Sequence, residues 1–211
     1  MSDPAGYRTE QEAFWAGDFG SAYIGRNASP ALLAANLHFF AVALKAAGAI
    51  GSCLELGANV GMNLKAIRLL YPEVAVKGVE INPDAARLLA ETIGAENVRN
   101  ESIFDYLPAE QFDLVLVKGV LIHINPEMLA TAYDRIYQSA RRWILIGEYY
   151  NPSPVVVPYR GHADRLFKRD FAGDLLDRHP DLRLVDYGFA YRRDPAFAQD
   201  DLTWFLLEKR S

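Results

Sequence analysis

The stretch Glu55–Gly61, with the sequence ELGANVG, holds the residues best suited to chemistry in this 211-residue chain. It follows the apolar run Cys53–Leu56 and precedes a segment with helical periodicity, so a strand ends, the chain turns and a helix begins. Gly57 and Gly61 permit positive φ angles and a close backbone approach that a Cβ atom would block. A turn of this kind at the end of a strand predicts a nucleotide-binding site.

Two further residues narrow the class of ligand. The middle position of a dinucleotide fingerprint is a glycine, because a pyrophosphate must approach the backbone closely there. In this chain the position is Asn59, which disfavours NAD and favours a ligand with an amino-acid moiety at the turn. Glu80 ends the next strand-like run, where a carboxylate can accept both hydroxyls of a ribose.

The segments that position these residues alternate between strands and helices from about residue 50 to residue 150. Strand-like runs occupy 53–56, 74–80, 112–117 and 143–146, with a short one near Val98, and helical spacing occupies 62–70, 83–93 and the segment opened by Asn125-Pro126-Glu127. Strands that alternate with helices in this way form a parallel sheet covered on both faces.

Two more strand-like runs, 183–190 and 202–207, close the chain. Only a polar loop joins them, so they should pair antiparallel. The predicted fold is α/β and Rossmann-like, with a seven-stranded, mostly parallel sheet and a C-terminal antiparallel hairpin. The sixth strand of a plain dinucleotide-binding fold arrives through a helix, so the hairpin also argues against NAD.

Two segments lie outside this sheet. Residues 1–48 contain a helix-like stretch from Pro30 to Ala47, preceded by the aromatic residues Tyr7, Phe14, Trp15, Phe19 and Tyr23. We expect them to form an N-terminal helical and aromatic segment ahead of a single domain, 49–211. Residues 149–171 form an insertion rich in proline and tyrosine that begins where the fifth strand ends. Because ligands of such sheets bind at this edge, we predict a substrate-binding role for the insertion.

Composition excludes several classes of function. The net charge is −5 and the basic residues do not cluster, which disfavours nucleic acid as a main partner. Cys53 is the single cysteine, so no disulfide or CxxC zinc site is possible, and we predict no metal. Residues 1–12 lack the layout of a signal peptide, and the apolar runs are too short to span a membrane. We therefore expect a cytoplasmic protein with a small-molecule substrate.

The turn, the acid and the fourth strand together resemble a known family. ELGANVG resembles the first motif of class I S-adenosylmethionine-dependent methyltransferases, Glu80 their second-strand acid, and Phe112–Val115 their fourth strand. The resemblance implies S-adenosylmethionine as cofactor and S-adenosylhomocysteine as product. By position in these motifs, it implies contacts to the methionine part from Glu55, Gly57, Ala58, Asn59 and Gly61, to the ribose from Glu80, to the adenine from Ile81, Ser102 and Ile103, and to the sulfonium from Lys118 and Gly119. Many family members carry an aspartate where this chain has Ser102, which leaves Asp105 as a rival for the adenine contact.

The flanking segments resemble a narrower group. Phe14–Asn27, Tyr149-Tyr150-Asn151-Pro152, Tyr159-Arg160-Gly161-His162 and Lys168–Phe171 are similar to segments of a small methylase family found beside pseudaminic acid biosynthesis genes. This resemblance implies methylation of a nonulosonic sugar or its precursor.

The same segments suggest how the site is closed. Residues 14–27 can fold over the cofactor as a lid, with Tyr23 beside it and Arg26 available to the methionine carboxylate. The insertion supplies donors and aromatic faces suited to a polar or anionic substrate. The predicted substrate-binding residues are Tyr149, Tyr150, Asn151, Tyr159, Arg160 and His162.

Methyl transfer is an in-line displacement, so the protein contributes mainly by aligning the acceptor behind the methyl group. A hydroxyl acceptor benefits from a base, whereas an amine needs only to be neutral. His123, just past the fourth strand, is our first candidate for this base, and His162 is the second. Lys118 is predicted to orient the acceptor or balance charge.

Three other interpretations compete with a small-molecule methyltransferase. The same fold can methylate a protein or RNA side group, although the lack of a basic face and the enclosing loops argue against a macromolecular acceptor. A non-catalytic protein that binds the nucleotide as a sensor is a different class, separated by whether transfer occurs with any acceptor. An NAD-linked oxidoreductase is disfavoured by Asn59 and by the terminal hairpin.

Overall fold

The computed structural model describes residues 6–26 and 29–210, with Arg26 described by its backbone alone. The helices are α1 (Glu10–Ala16), α2 (Asp18–Tyr23), α3 (Pro30–Ala43), α4 (Met62–Leu70), α5 (Pro83–Ile93), α6 (Leu129–Ser139) and α7 (Phe171–Arg178). The strands are β1 (Ser52–Leu56), β2 (Ala75–Val79), β3 (Val98–Arg99), β4 (Phe112–Lys118), β5 (Ala140–Glu148), β6 (Val155–Val156), β7 (Phe167–Lys168), β8 (Leu182–Ala190) and β9 (Leu202–Lys209).

Seven of the strands form one sheet in the order β3-β2-β1-β4-β5-β9-β8. The first five run parallel, and β9 is antiparallel to both β5 and β8. This arrangement confirms the predicted α/β fold with its terminal hairpin. Parallel strands placed side by side bring their carboxyl ends, and the turns that follow them, to the same edge of the sheet.

The core lies on both faces of this sheet. Along β4, Val115 and Val117 belong to the apolar cluster beneath α6 and α7, whereas Leu114 and Leu116 belong to the cluster beneath α3 and α4. All four side chains are fully buried. A central strand covered on both faces explains why its sequence is continuously apolar rather than alternating.

Local signals in the sequence determine several of the element boundaries. Helices α4 and α5 have the predicted bounds, and the Asn82 side chain caps α5 by accepting the N–H groups of Asp84 and Ala85. The segment opened by Asn125 differs, because a single 3-10 turn, Pro126–Met128, precedes α6.

The insertion 149–171 is more ordered than the long loop predicted from its composition. It contains the two-stranded hairpin β6–β7, and Asp170 caps α7 through the N–H of Gly173. Within it, Tyr159 and His162 exchange backbone hydrogen bonds around Arg160 and Gly161, which have φ angles of 50° and 88°. Positive φ at both central residues is the geometry of a type I′ turn. Across the described part of the chain, no helix is long and apolar enough to cross a membrane.

Candidate active site

A cavity of about 600 Å³ opens at the carboxyl edge of the parallel strands. Its wall comes from the turns after β1, β2, β3 and β4, from residues of α1, α2 and α3, and from the β8–β9 connection. Pockets of roughly 300–1,000 Å³ accommodate cofactors and drug-sized ligands. This cavity therefore has room for a nucleoside cofactor.

The backbone N–H groups of the turn after β1 are all hydrogen-bonded to acceptors of the protein itself. The N–H groups of residues 57–61 donate to the Val79 carbonyl, Glu80 Oε2, Asn59 Oδ1 and the Ala58 carbonyl. A pyrophosphate bound at such a turn needs backbone N–H donors. The turn is therefore poorly suited to NAD, which strengthens the argument first drawn from Asn59.

Three residues of this turn have positive φ angles, namely Gly57, Asn59 and Gly61. Asn59 has a φ angle of 47°, and its side-chain oxygen accepts the N–H of Val60 at 2.8 Å, a local bond that makes asparagine suitable there. Gly57 has a φ angle of 77°, and a Cβ atom on it would lie 2.5 Å from Cγ2 of Val120. The turn after β1 thus packs directly on the loop after β4, and both line the cavity together with Ala58.

Glu80 forms the next part of the wall. Its side chain is buried, with Oε2 accepting the N–H of Asn59 at 2.7 Å and Oε1 accepting the N–H of Asn82 at 2.8 Å. Burial raises the pKa of Glu80, and these N–H groups, together with that of Ile81, act in the opposite direction. Each carboxylate oxygen keeps a lone pair that can accept a ribose hydroxyl.

Glu55 and Gly61 lie behind the wall rather than in it. Glu55 is fully buried, its Oε1 accepts the Asn63 side chain at 2.6 Å, and its Oε2 has no partner among the described residues. Burial raises the pKa of Glu55 to about 8. Asn63 lines the cavity, so Glu55 reaches the ligand space through Asn63, and Gly61 serves as the left-handed cap of α4.

The far end of the cavity is apolar on two sides, with Ile81 and Ile103 in its wall. Ser102 lies between them and is buried, with its Oγ accepting the N–H of Phe104 at 3.2 Å. Asp105 is placed elsewhere. It pairs with the Arg8 guanidinium and lines a smaller neighbouring cavity, so Ser102 and Ile103, not Asp105, face the larger one.

Helices α1 and α2 cover the cavity. The side-chain nitrogen of Asn82 lies 3.1–3.2 Å from the carbonyl oxygens of Trp15, Ala16 and Gly17 and from Ser21 Oγ. The same asparagine caps α5 and contacts Glu80 through its own N–H. One side chain therefore ties the N-terminal helices to the predicted ribose carboxylate.

Aromatic rings form the underside of this cover. Trp15 and Tyr23 line the cavity, and the Trp15 ring packs against Tyr23 at 5.5 Å and against His123 at 4.5 Å between centroids. The indole N–H of Trp15 has no partner in the described residues. The Arg26 side chain, predicted to reach the methionine carboxylate, lies outside the described part of the chain.

His123 occupies the cavity wall just past β4. Its Nδ1 lies 2.7 Å from the carbonyl oxygen of Arg165, which can only accept, so Nδ1 carries the proton and Nε2 keeps its lone pair. Burial lowers the pKa of His123 to about 4, so the ring is neutral at pH 7. A neutral imidazole with an unprotonated nitrogen beside the cavity has the form that a proton acceptor requires.

Two buried titratable residues, Glu148 and Lys118, lie near the loop that carries His123, and Glu148 supports it directly. Glu148, at the end of β5, accepts the N–H groups of Val120 and Leu121 at 2.9 and 2.8 Å, and burial raises its pKa to about 7. Lys118 lines the cavity with its Nζ 3.4 Å from Asn36 Oδ1, and burial lowers its pKa. Gly119 lines the cavity beside it.

The structure brings only part of the predicted substrate set into the cavity. Tyr149, Tyr159 and Arg160 line it. The Tyr149 hydroxyl is hydrogen-bonded to Asp200, and burial and that carboxylate raise the pKa of Tyr149. Tyr159 and Arg160 come from the stem and tip of the type I′ turn, which explains why these neighbouring residues reach the same space.

The other three predicted residues lie outside the cavity wall. Tyr150 is exposed and packs on Phe205, the Asn151 side chain bonds the carbonyl of Ser153, and His162 is exposed against the outer side of Phe14. The alternation of side chains along an extended segment explains the separation of Tyr149 from Tyr150. The type I′ turn reverses the chain between Tyr159 and His162.

Sequence reasoning missed the residues that complete this end of the cavity. Asn36, from α3, accepts the side-chain amide of Gln199 at 2.8 Å, and both are buried. Further polar residues come from the β8–β9 connection, namely Arg192, Gln199 and Asp200. A lone asparagine in the apolar helix 30–43 was a usable signal, but nothing in the sequence linked it to a loop more than 150 residues away.

The residues present suit S-adenosylmethionine in several ways. Each carboxylate oxygen of Glu80 has a free lone pair that can accept a ribose hydroxyl. Ile81 and Ile103 provide apolar surfaces for a base. The turn 57–61 offers no N–H group to a phosphate. These features match a nucleoside joined to an amino acid by a sulfonium, which carries no phosphate.

Comparison with known proteins also indicates a methyltransferase. A family model described as a methyltransferase domain matches residues 54–142. No curated protein matches the sequence. Among solved structures, the chain is similar to the 1,6-didemethyltoxoflavin-N1-methyltransferase of Burkholderia thailandensis, with 22% identity, a TM-score of 0.71 and coverage of 100% of this chain and 94% of that one.

Two other solved structures are similar at 16% identity. The N-methyltransferase NodS from Bradyrhizobium japonicum gives a TM-score of 0.66 and coverage of 95% and 97%. The mitomycin 7-O-methyltransferase MmcR gives a TM-score of 0.67, with 97% of this chain aligned to 62% of that one. Residues 54–142 are thus similar to a methyltransferase domain, and the chain has the fold seen in class I S-adenosylmethionine-dependent methyltransferase structures.

Proposed function

We propose that this S-adenosylmethionine-dependent methyltransferase transfers a methyl group to an oxygen or nitrogen of a small polar metabolite. The observation that carries the proposal is one continuous cavity. It runs from Glu80 and Ile103 at one end to Lys118, Tyr149 and Asp200 at the other. A cofactor held at the first end leaves its reactive end directed toward the polar wall, where an acceptor can be aligned.

Bound S-adenosylmethionine would supply an activated methyl group. The chain's own residues bind the cofactor, exclude water and accept the proton. Glu80 accepts the ribose hydroxyls, and the turn 57–61 with Asn63 supports the amino-acid part. Helices α1 and α2 act as a lid, with Trp15 and Tyr23 excluding water from the reacting atoms. His123 Nε2 accepts a proton from the acceptor, because Nδ1 is committed to the Arg165 carbonyl.

The polar wall supports a hydroxylated or amine-bearing acceptor. Lys118, Asn36, Gln199 and the Tyr149–Asp200 pair place donors and acceptors around one end of the cavity. Arg160, at the tip of the insertion 149–171, adds a cation at the entrance. This set suits a nonulosonic sugar or its precursor, the substrate that the resemblance to the pseudaminic acid-associated methylases implies.

The named activities of the similar structures also favour a small acceptor. Those proteins are described as an N1-methyltransferase with bound 1,6-didemethyltoxoflavin, a mitomycin 7-O-methyltransferase and an N-methyltransferase. The covered cavity of this chain, closed by α1 and α2, favours the same class of acceptor over a protein or RNA side group.

The test is a transfer assay with isotopically labelled S-adenosylmethionine and a panel of acceptors. The panel holds nonulosonic sugars, their nucleotide-linked forms, hydroxylated heterocycles and primary amines, with a peptide and an RNA mixture beside them. We expect label in at least one small polar acceptor, dependent on the enzyme. Label only in the peptide or RNA, or in no acceptor while S-adenosylhomocysteine binds, would contradict the proposal and favour a macromolecular acceptor or a sensor.

A further inference from the structure

A carboxylate enters the cofactor cavity from outside the sheet. Glu12, on α1, has only 8% of its surface exposed, and it lines the cavity together with Ser102 and Ile103. It lies more than sixty residues before the acid Glu80 in the chain, on the helix that covers the site. A carboxylate buried in a ligand cavity needs a partner that donates hydrogen bonds.

The protein partners of Glu12 do not neutralise its charge. Its Oε1 accepts the hydroxyl of Ser102, and its Oε2 accepts the backbone N–H of Arg8 at 2.8 Å. The guanidinium of Arg8 points to Asp105 instead, and within the described residues no cation forms an ion pair with Glu12. A carboxylate offers about four acceptor positions, so roughly two remain for a ligand.

Ser102 gives its hydroxyl hydrogen to Glu12 and so has none to offer a ligand. Its oxygen also accepts the N–H of Phe104 at 3.2 Å, which fixes the hydroxyl in place. The hydroxyl therefore orients the Glu12 carboxylate. A ligand that places a hydrogen-bond donor at the end of the cavity lined by Ile81 and Ile103 would meet the free acceptor positions of Glu12.

We propose that Glu12 recognises the exocyclic amino group of the cofactor's adenine, with Ser102 as its positioning residue. The inference rests on the proposed function, since it needs the base of S-adenosylmethionine beside Ile81 and Ile103. An amino group donates to a carboxylate, whereas a carbonyl at the same ring position would face it with another acceptor. Helix α1, which covers the cofactor, thus also selects its adenine, because Glu12 lies on that helix.

The experiment compares two ligands that differ at C6 of the base, and at the adjacent N1, which carries a hydrogen when C6 bears a carbonyl. The dissociation constants of S-adenosyl-L-homocysteine and S-inosyl-L-homocysteine, whose amino group is replaced by a carbonyl oxygen, are measured by isothermal titration calorimetry. We expect the wild-type chain to prefer the adenosyl ligand by about 10–100-fold. In Glu12→Gln, whose amide can donate to the carbonyl, the ratio should fall to about threefold or less.

Matched variants separate this role from general effects. Glu10→Gln removes a neighbouring carboxylate on the same helix, one that is exposed and pairs with Arg165 at 3.1 Å, and should keep the wild-type ratio. If circular dichroism shows that Glu12→Gln does not fold, Glu12→Asp, which withdraws the carboxylate by one methylene, serves the same test.

Three results would overturn the inference while leaving the proposed function standing. They are equal affinity of the wild type for both ligands, a wild-type ratio in folded Glu12→Gln, and collapse of the ratio only in Glu101→Gln, since Glu101 also lines the cavity. Failure of the wild-type chain to bind either ligand would instead overturn the proposed function itself.

Discussion

The two ends of the cavity differ in how far apart in the sequence their residues lie. The cofactor end comes mainly from the turns after β1 and β2, residues 57–63 and 79–81, with Ser102 and Ile103 after β3. The acceptor end combines α3, the ends of β4 and β5, the turn 159–160 and the β8–β9 connection. At the cofactor end, backbone N–H groups of the turn 57–61 make most of the hydrogen bonds that fix the wall. At the acceptor end, the wall is fixed by contacts between side chains that are far apart in the sequence. Variants of each end should therefore fail in different ways.

The largest effect is expected at the acceptor end, from His123→Ala. Removing the imidazole of His123, which lines the cavity and keeps a lone pair on Nε2, should lower turnover about 10²–10⁴-fold for a hydroxyl acceptor. Affinity for S-adenosylhomocysteine should stay within about threefold, because His123 lies away from the ribose carboxylate. Turnover in the labelled-methyl assay and calorimetric affinity are measured on the same preparation.

The control is His179→Gln, a histidine stacked on Tyr137 at 3.8 Å and absent from the cavity wall. It should keep wild-type turnover. Near-normal turnover of His123→Ala would remove His123 from the mechanism and leave the acceptor end with an orienting role alone.

At the cofactor end, Glu80→Ala should weaken binding of S-adenosylhomocysteine by about 100-fold or more. The variant removes charged hydrogen bonds to the ribose, worth about 1.5–3 kcal/mol each, and frees the N–H groups of Asn59 and Asn82. Calorimetry gives the affinity, and exposed Glu73→Ala is the control for loss of one acidic residue. An affinity within threefold of wild type would show that the ribose is held elsewhere.

The attachment of the N-terminal helices to the cofactor end is tested by Asn82→Asp. The aspartate keeps the oxygen that caps α5 but loses the amide that bonds the carbonyls of Trp15, Ala16 and Gly17. We expect about tenfold weaker cofactor binding and faster proteolytic cleavage within residues 6–26, with the rest of the chain protected. An unchanged cleavage rate there would mean that the helices α1 and α2 are held without Asn82.

The smallest effect concerns stability beneath the cofactor end. The pKa of Glu55 is raised to about 8 in the folded chain, so its protonated form favours folding, and that stability is lost as pH rises from about 4.5 through 8. Glu55→Gln removes this titration and keeps an acceptor for Asn63. The melting temperature of the wild type should therefore fall more between pH 6 and pH 9 than that of the variant, by several degrees.

Glu148 has a raised pKa of the same sign and continues to titrate in the variant, so a smaller pH dependence should remain. If the melting temperatures of the wild type and Glu55→Gln change by the same amount between pH 6 and pH 9, Glu55 is not buried as a protonated acid.

The sequence predicted most of the cofactor end, because its signals are local. Positive φ at Gly57 and Gly61 and the place of the acid Glu80 after β2 are decided by neighbours within a few residues or by the adjacent strand. The alternation of elements likewise predicted the sheet and its terminal hairpin. Local backbone chemistry makes such features readable from one sequence.

The acceptor end was predicted only in part, because long-range packing decides it. Which of Tyr149 and Tyr150 faces the cavity depends on the twist and register at the end of β5, and the meeting of Asn36 with Gln199 depends on how the hairpin lies against α3. The place of Glu12 beside Ser102 depends on the docking of the N-terminal helices. No residue pattern encodes these distances directly.

The cavity is proposed to bind an adenosyl amino acid and not a dinucleotide. The most direct measurement is calorimetric titration of the wild-type chain with S-adenosyl-L-homocysteine and, in parallel, with NAD. The turn 57–61, with every N–H group used inside the protein, predicts one S-adenosylhomocysteine bound per chain and no detectable binding of NAD. Tighter binding of NAD, or no binding of S-adenosylhomocysteine, would contradict the account.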